Sequence, residues 1–173
     1  LAHQDASAAQ HEQANYRSVL ELARRALSAG VQRFVFLSSV KAGPGEGAYG
    51  YWKWRAEQAL VAEFADSSLR PVILRPALVY GAGARANLHS LLRAVQLGLP
   101  TPPAGTPRSM VGLPDLCSAM CQCLEIDPGS GPFAVTDGQS YDLQRLYSAI
   151  ASGLGKTPGR AWLPRWCWWL ACA

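Results

Sequence analysis

Charge is scarce in this chain of 173 residues: Asp, Glu, Lys and Arg make up 16% of it, and the formal net charge is only +4. The sixteen Lys and Arg are scattered rather than gathered into a run, so the electrostatic footprint of a nucleic-acid binder is missing. No apolar run is long enough to span a bilayer and no signal peptide is recognisable, which excludes stable membrane insertion as a sequence expectation. Five cysteines, an odd number in that setting, predict free thiols in a reducing compartment, the cytoplasm. Histidines number three, and none lies near Cys117, Cys121 and Cys123, so these read as small apolar helix residues and no metal site is expected. What remains is 49% hydrophobic, ordinary for one compact globular protein.

The apolar pattern alternates between helix and strand. Val19, Leu20, Leu22, Ala23 and Leu27 are spaced for a helix over Asn15 to Ala29, which Gly30 closes. Val31 to Leu37 reads as a strand covered on both faces, as in a parallel sheet. After a loop rich in glycine (41–47), a helix is predicted from about Ala48 to Phe64, with Trp52, Ala56, Ala59, Leu60 and Phe64 on its apolar stripe and Lys53 and Glu57 as a pair beside it. Pro71 to Leu74 follows as a buried strand that Arg75-Pro76 ends. Helix, strand, helix, strand is half of a doubly wound α/β sheet.

Beyond Gly81 the segments shorten. Leu88 to Val95 is a helix stopped by Gly98 and Pro100, and Ser109 to Gly112 is a short strand. Pro114 and Asp115 open the cysteine-bearing helix, Gly131 to Thr136 is a strand before an Asp137-Gly138 turn, and Leu143 to Leu154 is an amphipathic helix. The tail from Trp162 to Leu170 holds four tryptophans in nine residues and reads as a helix that packs on another surface, since it lacks the basic face of a membrane-surface helix.

Two nucleotide-binding patterns fail inspection. Gly81-Ala82-Gly83-Ala84-Arg85-Ala86 fits G-x-G-x-x-A, yet no acidic residue follows about twenty positions on to hold a ribose. Gly155-Lys156-Thr157 lacks the upstream glycine of a P-loop, where Ile150 stands, and follows a helix instead of a strand.

The chemistry lies between strand and helix. Tyr49 and Lys53, four apart at the start of a helix, share one face, and they follow Ser38 and Ser39 at the carboxyl end of a strand, where open α/β sheets place their ligands. A phenol beside an ammonium suits a general acid or base, and Ser39 can hydrogen-bond the same substrate oxygen. The group serves to move a proton on and off a carbinol while hydride moves elsewhere.

Three segments in order, Arg33 to Ser39, Tyr49-x-x-x-Lys53, and Leu74 to Gly81 (Leu-Arg-Pro-Ala-Leu-Val-Tyr-Gly), resemble the extended short-chain dehydrogenase/reductase superfamily. Within it the likeness is to NAD-dependent epimerase/dehydratase proteins acting on nucleotide sugars, and it runs from Asn15 to about Pro164. The resemblance implies a partial Rossmann-like sheet over residues 1–80 and mainly a substrate-binding region over 81–173, part of which returns to the sheet. It implies a catalytic group of Ser39, Tyr49 and Lys53, NAD or NADP held by Tyr49 and Lys53 and bordered by Pro76, Ala77 and Val79, and a nucleotide-sugar diphosphate held by Asn87 and Arg108. Asn15 resembles the family's structural asparagine, and a homodimer of the intact enzyme is consistent with the likeness. The family's glycine-rich dinucleotide loop and the first half of its sheet have no counterpart here, so the chain is expected to be incomplete at its N-terminal side and to bind NAD weakly by itself. The alternatives are a reductase of a steroid or flavonoid-type carbonyl, and a non-catalytic protein that keeps the sheet.

Overall fold

The computed structural model describes residues 8–81 and 88–157. Residues 82–87, which include most of the G-x-G-x-x-A pattern and Asn87, and the tryptophan-rich tail lie outside these residues. The chain forms two compact units, one of residues 1–77 and 114–135, the other of residues 78–113 and 136–173.

The first unit begins with a helix already formed at residue 8, which passes through a π-helical turn at Gln13–Arg17 into helix α1, Ser18–Ser28. It therefore starts earlier than the apolar spacing suggests, because its first turns are polar and carry no periodic signal. Gly30, at φ +75°, ends it. Strand β1 is Arg33–Leu37, helix α2 is Gly47–Glu63, and strand β2 is Arg70–Pro76. Strand β2 runs through the proline that was expected to end it. Pro76 needs no amide there: its carbonyl accepts from Val40 N at 3.2 Å, and it sits opposite Val135 at the far end of the strand.

Seven more elements complete the two units among the described residues. Helix α3, Leu88–Gln96, follows strand β3, Leu78–Tyr80; strand β4 is Arg108–Gly112 and helix α4 is Leu113–Glu125. Strands β5, Phe133–Val135, and β6, Ser140–Tyr141, precede helix α5, Leu143–Gly153. The first unit holds a parallel sheet in the order β1-β2-β5, with Leu37 opposite Leu74 and Leu74 opposite Phe133. The second holds β3-β4-β6, parallel between β3 and β4 and antiparallel between β4 and β6.

Strand β2 is buried on both faces, as an interior parallel strand should be. On one side Ile73 packs with Phe36, Leu20, Ala56, Leu60 and Phe64 under α1 and α2. On the other, Val72 and Leu74 pack with Cys123 and Met120 of α4. Arg33 secures that helix by donating to the Cys123 and Ile126 carbonyls at its C-terminus. In the second unit, Leu91 and Val95 of α3 pack on Tyr147 and Ala151 of α5.

Candidate active site

Parallel pairing carries β1's backbone past its last residue: Ser38 N donates to the Leu74 carbonyl at 2.7 Å. The chain then turns on Ser39, whose Oγ accepts from Lys41 N at 3.1 Å and whose carbonyl accepts from Ala42 N at 2.9 Å. Helix α2 starts at Gly47 in the left-handed region, φ +66°, and delivers Tyr49 on its first turn and Lys53 on its second.

Tyr49 and Lys53 do share a face. Lys53 Nζ lies 5.9 Å from the Tyr49 ring centre and 4.8 Å from that of Phe36, and donates to the Leu37 carbonyl at 2.7 Å. The ammonium is thus seated on the carboxyl end of β1. Burial lowers its pKa below the usual lysine value, against the opposing pull of the Glu57 carboxylate. Tyr49 stays 40% exposed, open to a substrate. Ser39 Oγ accepts a bond from its own turn, and among the described residues no hydrogen bond joins it to the Tyr49 hydroxyl.

One neighbour of Tyr49 escaped the sequence reading. His11 meets its ring edge-on, centroids 6.0 Å apart. Asn15, in the π-helical turn, holds His11 by donating from Nδ2 to the His11 carbonyl at 3.1 Å. The polar run that contains His11 gave no periodicity to place it.

Glu57 also differs from expectation. Expected only as a partner of Lys53 beside the apolar stripe, it is 1% exposed and accepts three hydrogen bonds. Oε1 accepts from the buried Ser38 hydroxyl and from Arg75 Nε at 2.9 Å, and Oε2 accepts from the other arm of the Arg75 fork. A buried carboxylate needs such compensation, and a bidentate guanidinium is the strongest available. The sequence signal was present in retrospect: a glutamate on the α2 face that carries Ala56 and Leu60 sits among core residues.

The residues assigned to cofactor and substrate fall in both units. Pro76 closes β2 and Ala77 follows it, buried, with its amide donating to Val135 O at 3.0 Å. Val79 is in β3 opposite Val111, in the second unit. Arg108 is exposed at the start of β4, opposite Tyr141 of β6, and directly opposed residues of an antiparallel pair share a face. Arg145 stacks on the Tyr141 ring at 4.7 Å. The Tyr141 hydroxyl donates to Asp137 Oδ2 at 2.7 Å, which raises the phenol to about 12 and holds the Asp137 carboxyl below its usual range.

Three more ion pairs among the described residues involve arginines of the first helical segment. A shallow cavity of about 410 Å³ along α1 is lined by Glu12, Tyr16, Arg17, Leu20, Glu21 and Arg24. Arg17 pairs with Glu12 at 2.7 Å and Arg24 with Glu63 at 2.5 Å. Cys117 and Cys121 are exposed while Cys123 is buried, and among the described residues no three metal-ligating side chains converge.

Comparison with known proteins gives the family and supports the fold. The model of the NAD dependent epimerase/dehydratase family matches residues 1–131. A UDP-glucose 4-epimerase of Vibrio cholerae is 33% identical over 179 residues, covering 91% of this chain and 54% of that protein. The crystal structure of UDP-glucose 4-epimerase from Thermotoga maritima with UDP-glucose superposes with a TM-score of 0.71 at 22% identity, covering 92% of this chain and 60% of that one. A Thermus thermophilus UDP-glucose 4-epimerase in complex with NAD gives 0.66 at 23% identity, covering 84% and 56%. The chain therefore spans little more than half the length of the proteins it matches. With a parallel Rossmann-like sheet, the Tyr49–Lys53 pair at the carboxyl end of β1 and a family match over residues 1–131, the chain belongs to the NAD dependent epimerase/dehydratase family.

Proposed function

We propose that this chain carries the acid/base portion of the active site of an NAD-dependent enzyme acting on a nucleotide sugar, and that the full-length protein interconverts epimers at a sugar carbinol by way of the ketone. The observation that carries the reading is the seating of Lys53: Nζ donates to the Leu37 carbonyl at 2.7 Å beside the half-exposed Tyr49 ring. The names of the relatives, a UDP-glucose 4-epimerase and an NAD complex of another, support the substrate class and the cofactor.

The residues present fit the nicotinamide-ribose end of such a cofactor. An ammonium has three N–H donors, and the Leu37 carbonyl takes one of those of Lys53, which leaves donors for ribose hydroxyls. When bound, the cofactor supplies hydride acceptance and return at the sugar carbon. Tyr49 Oη takes the hydroxyl proton and gives it back, with the Lys53 ammonium beside its ring. Ser39 holds the reacting oxygen once its hydroxyl turns from the Lys41 amide. Pro76, Ala77 and Val79 border the nicotinamide, and Asn87 and Arg108 hold the diphosphate, for which a planar guanidinium fork is well shaped.

In the full-length protein, Tyr49→Phe is expected to lower kcat for UDP-glucose by at least about 100-fold, the usual reach of a positioned acid/base group, while NAD remains bound. Unchanged turnover would remove Tyr49 from this role.

A further inference from the structure

We propose that Glu57 is a positioning residue of the Tyr49–Lys53 site: its buried carboxylate joins the ends of β1 and β2 and holds the Lys53 ammonium against the Leu37 carbonyl. The inference rests on the acid/base reading of Tyr49 and Lys53 given above.

The geometry has two parts. Lys53 and Glu57 are one turn apart on α2 and grip successive groups at the end of β1: Lys53 takes the Leu37 carbonyl, and Glu57 takes the Ser38 hydroxyl. Arg75 then ties β2 to the same carboxylate. Leu37 is opposite Leu74, so Ser38 and Arg75 are the next pair along that parallel ladder, and Glu57 bridges them from the helix above. One carboxylate thereby fixes the relative height of a helix and two strands at the point where Tyr49 and Lys53 emerge.

Stability alone does not explain a charged group there. A buried ion pair is commonly no better than well-packed apolar side chains of the same size, and Glu57 is surrounded by the core face of α2, with Ala56 at 0% and Leu60 at 0% exposed. What an apolar residue cannot supply is negative charge beside Lys53. Burial disfavours the ammonium, and Glu57 is the group that opposes it.

Among the described residues, few charged and titratable groups lie around Lys53. From α2 come Tyr49 and Glu57; from β1 come the Phe36 ring and the Leu37 carbonyl; from β2 comes Arg75, already tied to Glu57. Ahead of α1, His11 lies against the Tyr49 ring, and Tyr16 packs on Trp52 and under Arg55. From α1, Arg24 reaches the last residue of α2 and is engaged by Glu63.

The test uses the full-length protein and two readouts, an NMR titration of the Lys53 Nζ resonance, assigned with Lys53→Arg, and the pH profile of kcat for UDP-glucose. Glu57→Gln keeps the shape and removes the charge; the Lys53 titration and the alkaline limb of kcat are both expected to move to lower pH. Ser38→Ala keeps the charge and removes one hydrogen bond, so it is expected to lower the melting temperature and leave both titrations in place. A Glu57→Gln protein that is less stable but titrates as the parent would overturn the proposal. Should that variant fail to fold, Glu57→Asp retracts the charge by one methylene and is expected to shift both readouts the same way by less; no shift there overturns the proposal equally. The NMR titration needs no turnover, so it separates failure of this inference from failure of the Tyr49 assignment, which Tyr49→Phe decides.

Discussion

Gly50, the residue after Tyr49, offers a sharp test because two physical effects disagree about it. In an isolated helix, alanine is better than glycine by about 1 kcal/mol, so Gly50→Ala should stabilise α2. In the folded chain, Gly50 is buried where the loop before the helix folds back on it. Gly43 N donates to its carbonyl at 3.3 Å. A Cβ added there would stand 2.1 Å from the Lys41 carbonyl oxygen and 2.5 Å from Glu46 Cβ. Ordinary contact begins near 3.4 Å, so the Lys41 backbone must retreat by more than about 1 Å, and a backbone cannot swing aside as a side-chain tip can. Forced overpacking costs about 1–3 kcal/mol and sometimes more. With a backbone neighbour the upper part of that range applies, and after the propensity gain the net loss is about 2 kcal/mol, roughly a 30-fold shift toward the unfolded state. Urea unfolding of the full-length protein, parent against variant at matched m-value, measures it. Turnover should fall as well, since a shift of about 1 Å in a reacting group can cost on the order of 100-fold. A Gly50→Ala protein that is more stable than its parent by about 1 kcal/mol would show that propensity wins and that the packing of the loop on α2 is not as described.

Two further tests concern the second unit. Tyr141 is held neutral by its bond to Asp137, so its folded pKa is above its unfolded value; the stability it contributes is complete below pH 10 and is lost as pH rises toward about 12. Tyr141→Phe should flatten the alkaline fall of the unfolding free energy over that interval, and parallel curves for the two proteins would refute the assignment. Arg108→Leu in the full-length protein should weaken UDP-glucose binding by about tenfold to a hundredfold, the worth of one hydrogen-bonded charge contact, and leave NAD affinity alone; calorimetry with each ligand separates these, and unchanged sugar-nucleotide affinity would exclude Arg108 from the diphosphate site.

The sequence spoke most clearly where a residue's neighbours are also its neighbours along the chain. The order helix, strand, helix, strand, the glycine stops at Gly30 and Gly98, and the shared face of Tyr49 and Lys53 all follow from local spacing, and all are present. Partnerships between distant segments were opaque. Glu57 was read with Lys53, four residues away, whereas its principal partner is Arg75, on a parallel strand that only the sheet brings near. Strands β3 and β6, of three and two residues, are too short for any alternation to register. Ser39 illustrates a further limit: residue type and position mark it as a hydrogen-bonding group at the strand's end, but whether its hydroxyl serves the substrate or its own turn depends on loop geometry that composition does not encode.

The division of the chain into interleaved units constrains how the protein is made. Strand β2 finds one neighbour in β1 and the other in β5, with Leu74 paired to Phe133, and the segment that builds the β3–β4 ladder is spelled out in between. A nascent chain leaving the ribosome would carry β2 with one edge bare until Val135 has emerged, and pairing of this kind, between parallel strands far apart in sequence, is intrinsically slow. That bare edge is a template for wrong strands during synthesis. Neither unit is one continuous stretch of polypeptide, so ending the gene at any codon from 78 to 112 would leave the first unit without α4 and β5.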